Sequence, residues 1–333
     1  MTSSDAKNVS EKVRAICHDA ILWDMVFQID PAAGNTYESL SRFKNSGFSH
    51  VSLTLAGDSH NTAEAVAYVG RTRRELNKRG DWIRVIERAD EIAEAKRSGQ
   101  LGVVLHFEGT RPFERNLDMI DIFYKLGIRH ALLAFNQAND VGGGCAERVD
   151  GGLSRFGSRL IQEMQRVGML VDLSHTGYKT SLDAIAVSTH PVVFTHSNAS
   201  VLHPHFRNIR DDQIKACAET GGVVGVSGAT MYLGTEKPTS EAIFRQIDYF
   251  VELVGADHVG FGFDTLFDGS EMADFVRQHP DEWPDTSGNV FEYSVPEQVT
   301  ELVGCMLNHG YSEGNIRKIA GQNWVRVCKS VWK

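Results

Sequence analysis

Short apolar runs rich in β-branched side chains recur along the chain, separated by longer amphipathic stretches. The runs fall at Ala20–Val26, His50–Leu55, Gly102–Phe107, Arg129–Phe135, Met169–Ser174, Val192–Thr195, Gly222–Ser227 and His258–Phe263. A strand covered on both faces loses the alternation of a one-sided sheet, so these runs predict parallel strands buried on both sides. Helical periodicity appears between them at Thr62–Asn77, Asn116–Leu126, Arg155–Val167, Thr180–Ser188, Asp211–Glu219 and Glu241–Leu253. The order is that of repeated βα units, with a final helical pair, Glu297–Asn308 and Glu313–Ala320, expected to close the bottom or side. Phe275–Gln298 carries three prolines and no sustained period, and reads as a long loop near the end of the last strand.

Periodicity cannot separate a closed barrel from an open doubly wound sheet. No G-x-G-x-x-G or G-x-x-x-x-G-K-[ST] follows the first run, which disfavours the open, nucleotide-binding arrangement. The reading is an α/β fold, a (β/α)8 TIM barrel, as a single domain over 1–333 with the barrel at about 20–265 and the loop and C-terminal helices at about 266–333.

Composition narrows the partners. Of 333 residues, 42% are hydrophobic and 23% charged, enough for a sizeable core. The net charge is -9, with no basic run that could track a phosphate backbone or an anionic leaflet, so neither nucleic acid nor membrane is expected. The polar N-terminus lacks the apolar core of a signal peptide, and no run reaches the roughly 18 apolar residues of a membrane span, so a cytoplasmic protein acting on a small molecule is expected. Five scattered cysteines without a C-x-x-C pair read as reduced thiols.

In a barrel the strand C-termini converge on one mouth, so polar residues that end apolar strands are candidates for chemistry. Glu108 follows VVLHF, His175 ends LVDLSH, His196 ends VVFTH and Asp264 ends VGFGFD. A carboxylate and two neutral imidazoles make a ligand set for a divalent ion such as zinc, with Asp264 left to act as base. Each residue alone has an ordinary structural reading, as a helix cap or a loop hydrogen bond; four such residues at four strand ends carry the chemical one. His106, two residues before Glu108, points to the same side and is expected to be a hydrogen-bonded histidine in a barrel layer rather than a replacement ligand. His60, His203 and His205 are loop histidines near the mouth.

FEG (Phe107–Gly109), LGIRHALLAFN (Leu126–Asn136), GGLSRFGSRLIQEMQRVGM (Gly151–Met169), VDLSH (Val171–His175), THSNA (Thr195–Ala199), RNIRDDQIKACAETGGVVGV (Arg207–Val226) and GQNWVRV (Gly321–Val327) follow one another along the chain. Together they resemble successive landmarks of the membrane (renal) dipeptidase family, over about residues 20 to 330. The resemblance implies an amidohydrolase-type metal barrel, normally with two zinc ions bridged by a glutamate, and a homo-oligomer. It implies that Glu108 takes the bridging position, that His175 and His196 serve the second metal, that Asp264 handles the proton of the attacking water, and that Arg207 holds the substrate's carboxylate.

Three departures stand against that pattern. Where the family's first strand ends in Asp-Gly-His-x-Asp, this chain has Asp24-Met25-Val26-Phe27-Gln28, so Val26 and Gln28 replace two ligands of the first metal. One zinc ion is therefore expected rather than two. Asp24 matches the first acid of the motif, and a structural hydrogen-bonding role is expected for it. Leu133-Ala134-Phe135-Asn136 stands where the family has Leu-Thr-His-Asn, so Phe135 and Asn136 are expected to meet the substrate, but Phe135 cannot stabilise an oxyanion. The compact Asp-Phe-Asp-Gly of the last strand is expanded to Asp264-Thr265-Leu266-Phe267-Asp268-Gly269. Three readings stay open: a hydrolase of a small carboxylate-bearing dipeptide-like amide, a metal-dependent tautomerase, isomerase or lyase, and a binding protein that kept the fold.

Overall fold

The computed structural model describes residues 3–30, 33–284 and 291–333. Its strands are β1 (Trp23–Gln28), β2 (His50–Gly57), β3 (Ile83–Val85), β4 (Leu101–Glu108), β5 (Ile128–Leu132), β6 (Leu170–Asp172), β7 (Val193–Phe194), β8 (Val223–Val226) and β9 (Val259–Phe261). Eight of them form a closed parallel ring in the order β1, β2, β4, β5, β6, β7, β8, β9, with β1 returning to β9 through Asp24 and Phe261. All eight apolar runs of the sequence are strands of this ring. The extra strand, β3, pairs only with Leu101–Val103 at the start of β4 and stays outside the ring.

Helices surround the ring, and their ends follow local chemistry. Asn61 and Glu64 form a reciprocal capping box before Thr62–Asn77. Ser154 Oγ accepts the Gly157 amide at the start of Arg155–Val167, and Gly168, at φ +95, ends it. Each such cap contributes about 1 kcal/mol by satisfying amides that the helix leaves unpaired.

The expected loop over Phe275–Gln298 is partly helical. A helix spans Ser270–Gln278, and Pro296–Gln298 forms a 3-10 turn; 285–290 lie outside the described residues. Ala273 and Val276, three residues apart, bury one face of that helix against a cluster with Tyr232, Trp283 and Tyr293. Much of the partner surface, Tyr232 and Tyr293, lies outside the helix's own neighbourhood in the chain, which local period does not register. The last expected helix stops early, at Arg317, and a π turn over Lys318–Gln322 leads into Asn323–Val331. No helix among the described residues is long and apolar enough to cross a membrane. All five cysteines are unpaired.

Candidate metal centre at the barrel mouth

The barrel interior builds the site from beneath. Register pairs Thr54 of β2 with His106 of β4, and Thr54 Oγ1 lies 2.9 Å from His106 Nε2 and 3.4 Å from Glu108 Oε1. His106 stacks on His130 at 4.2 Å, and His130 Nδ1 lies 3.7 Å from Asp172 Oδ2. Although burial opposes it, contacts with His130, His196 and Thr195 hold the Asp172 carboxyl down to about 2, so it is an anion at neutral pH.

Two histidines stand on this layer. His196 directs Nδ1 to Thr195 Oγ1 at 2.8 Å, and that hydroxyl donates onward to Asp172 Oδ2 at 2.5 Å. The hydroxyl proton is spent on the carboxylate, so Oγ1 accepts from His196 Nδ1–H and leaves a lone pair on Nε2. His175 donates from Nδ1 to the Asn136 amide oxygen at 2.7 Å, which leaves its own Nε2 with a lone pair. The two Nε2 atoms face each other at 3.0 Å. Burial drives both imidazoles well below their usual pKa, and the Arg207 charge adds to it, so protons are disfavoured between them.

Carboxylates complete the cluster. Donor atoms of Glu108, His196 and Asp264 lie within 4.8 Å of one another, and His175 joins through its contact with His196. Burial raises both carboxyls above the usual range; the Asp264 charge pushes Glu108 further, while Arg207 pulls Asp264 back. The His196 nitrogen and the two carboxylates lie close enough to share a single divalent cation, and nitrogen and oxygen donors suit zinc; His175, expected as a ligand, meets this group only through His196 Nε2, while Asp264, expected as the base, falls inside it. The first-strand positions do not fit a second ion: register in β1 slips between Asp24 and Phe27, Val26 is a buried hydrocarbon and Gln28 is exposed.

Asn136, His175 and Asp264 all have left-handed backbones, with φ of +56°, +62° and +59°. Asn, His and Asp are the non-glycine types found there most often, and the bend turns each side chain off its strand into the mouth. Arg207 is buried; Nη1 donates to Ser197 Oγ at 2.9 Å and Nη2 to the His196 carbonyl at 2.6 Å, while Nε has no partner among the described residues. Phe135 stacks on His175 at 4.2 Å, and its amide donates to Asp58 Oδ2 at 2.9 Å. Asn136 is fully buried and spends its amide oxygen on His175. Asp24 Oδ1 accepts the Phe263 amide at 2.9 Å, tying β1 to the loop that carries Asp264.

Sequence reasoning missed Asp172, Thr195 and Asp58. An acid inside the apolar run before His175 was a usable signal for Asp172. Asp58 offered none: it accepts from the amides of Thr110, Arg111 and Phe135 and from the Asn139 side chain, and so joins the loops after β2, β4 and β5. Gly109, at φ +147, is needed beside it, because a Cβ there would lie 2.3 Å from Asp58 Oδ1.

Comparison with known proteins bears on the family and the fold. The family model of membrane dipeptidase, peptidase family M19, matches residues 53–333. The uncharacterized protein in the pqqA 5' region of Klebsiella pneumoniae is 32% identical over 263 residues, 75% of this chain and 90% of that one. Dipeptidase tcpJ of Claviceps purpurea is 31% identical over 256 residues, 75% of this chain. The chain spans 58%, 56% and 62% of the length of the three fungal relatives named as dipeptidases. An amidohydrolase from Pseudomonas aeruginosa superposes with a TM-score of 0.87 at 28% identity, covering 96% of this chain and 99% of that one. A metallo peptidase from Rhodobacter sphaeroides, liganded with a phosphinate mimic of L-Ala-D-Ala, shares the fold at a TM-score of 0.78 and 22% identity, covering 94% and 100%.

Proposed function

The chain belongs to the membrane dipeptidase family, and from that premise we propose that it is a hydrolase of small, carboxylate-bearing, dipeptide-like amides that works with one zinc ion. Glu108, His175 and His196 would hold the ion. The observation that carries this reading is the pair of Nε2 atoms facing at 3.0 Å, each with its Nδ1 committed to a hydrogen bond. Two lone pairs so placed repel each other unless a cation lies between them. When bound, the ion supplies Lewis acidity at the carbonyl and acidifies a water toward pKa about 7.

The remaining steps belong to the chain's own side chains. Asp264, half-buried and within reach of Glu108 and His196, takes the proton of the attacking water on a carboxylate oxygen and returns it to the leaving nitrogen. Arg207 offers Nε–H, which has no partner among the described residues, to the substrate carboxylate. Asn136 and the Thr195–Asp172 pair hold the imidazoles in the tautomer the site needs. Phe135 offers no hydrogen bond to the developing oxyanion, which leaves that charge to the centre itself.

Metal analysis of the purified protein should give near one equivalent of zinc per chain, lost in His196→Ala. Hydrolysis across a dipeptide panel should stop on chelation and return with zinc, and His196→Ala should lose about 1000-fold or more of activity. Two equivalents would overturn the single-ion reading. A fully loaded protein that cleaves no member of the panel would overturn hydrolysis.

A further inference from the structure

The mouth divides into two lobes, and His175 lines both. The smaller, a cavity of about 1230 Å³, contains Arg207 with His203 and His205 beside it. The larger, about 1500 Å³, contains Glu108 and Asp264 together with Phe135, Leu266, Met272 and Trp283. Phe135 does not line the first lobe and Arg207 does not line the second, so the carboxylate grip and the aromatic wall lie on different sides of the donor cluster.

The wall is an arranged one. Phe135 lies flat on His175, at 4.2 Å and 21°. Trp283 stands edge-on to both, 6.1 Å from Phe135 at 71° and 6.3 Å from His175 at 87°. Edge-to-face contacts of this kind hold rings in place beyond the effect of burial alone. The Phe135 backbone is pinned by Asp58, and Trp283 is anchored in the apolar cluster that includes Tyr232, Ala273 and Val276. Leu266 and Met272 pack against that cluster from the same segment.

In a dipeptide-like amide the carboxylate sits on the amine side of the scissile bond. With that carboxylate on Arg207, the acyl-side substituent projects into the other lobe, against Phe135 and Trp283. We propose that Phe135 and Trp283 are specificity-determining residues that select substrates with an aromatic or branched aliphatic acyl-side substituent. The inference rests on the hydrolase reading for the orientation of the substrate, and on the wall's geometry for the preference. A glycyl or short polar substituent would leave the wall hydrated, whereas a phenyl or isobutyl group removes both surfaces from water.

The test compares zinc-loaded protein on Phe-Ala, Leu-Ala, Gly-Ala and Asp-Ala, which share one amine-side residue and one carboxylate. The expected kcat/KM for Phe-Ala exceeds that for Gly-Ala by about 10- to 100-fold, with Asp-Ala lowest. Phe135→Ala and Trp283→Ala should each collapse that ratio; Phe135→His, which keeps a ring of similar size, should do the same if the larger substitutions fail to fold. Calorimetric binding of free L-phenylalanine and glycine is the second readout, since neither has a bond to cleave. Amides cleaved without regard to the acyl-side residue would overturn the wall as a selector and leave hydrolysis standing. No cleavage, but tighter binding of phenylalanine that Phe135→His abolishes, would overturn hydrolysis and leave the selector. Neither cleavage nor discrimination would overturn both.

Discussion

The two ends of this barrel are built on opposite rules. At the N-terminal end, Trp23, Val104, Leu170, Val193 and Val223 close on Trp324, all but fully buried. Gly260 lets the indole in, since a Cβ there would lie 2.5 Å from the Trp324 ring. At the C-terminal end, Asn136, His175 and Asp264 bend into left-handed backbone, two nitrogens present lone pairs to each other, and two half-buried carboxyls crowd together. The floor is complementary to itself and complete. The mouth is complementary to something the chain does not contain, and its local strain is borne by the rigidity of the floor.

That separation can be broken by experiment. The largest effect should come from Trp324→Ala, which empties the floor and costs about 3–5 kcal/mol of stability, read as the urea midpoint with its slope unchanged. Zinc per folded molecule should stay the same; loss of zinc from folded protein would show that floor and mouth are one cooperative site. Next comes Asp172→Asn, at the level where the two ends meet. The amide nitrogen cannot accept the Thr195 proton, so His196 loses its fixed tautomer, and zinc affinity should fall about 10- to 100-fold in a competition titration. An unchanged affinity would remove the Thr195–Asp172 pair from the account of the centre.

The smallest effect is the floor's share of a pH slope. His50, beneath Trp23 at a ring distance of 5.2 Å and hydrogen-bonded to Ser49, is pushed by burial down to about 3. Unfolded, it titrates near 6.5. Between those values the unfolded chain binds a proton that the folded chain refuses, so stability falls as pH drops, by about 1 kcal/mol from pH 6.5 to 5.5. In His50→Gln that part of the slope should vanish, in metal-free and zinc-loaded protein alike. The buried His106, His175 and His196 keep the rest of the slope, so a His50→Gln slope as steep as the parent's would remove His50 from the account.

Legibility followed the range of the interaction. The eight ring strands are visible as apolar runs because each is buried on both faces, a property that every residue of the run carries. Strand β3 is three residues long and exists through its edge contact with β4, so nothing local marks it. The helix at Ser270–Gln278 reads as part of a loop because its apolar face is narrow, and is explained only by the cluster it meets. Glu108, His175, His196 and Asp264 stood out because a charged or imidazole side chain at the end of an apolar strand is conspicuous in any barrel. The bend at φ +56° that brings the Asn136 amide oxygen onto His175 is a tertiary contact that no local pattern marks.

By itself, then, the sequence determined the succession of parallel βα units, the strand ends at which their chemistry gathers, and the loss of an imidazole at Val26 and of a carboxylate at Gln28. These follow from hydrophobic period and from the donor atoms each side chain owns, both properties of single residues. Tertiary structure alone decided the 3.0 Å opposition of the two imidazoles, the Thr195–Asp172 support beneath one of them, and the seating of Trp283 against Phe135. Each of those depends on the relative position of atoms on different βα units. Ring closure sets that position, and no run of residues within a single unit encodes it.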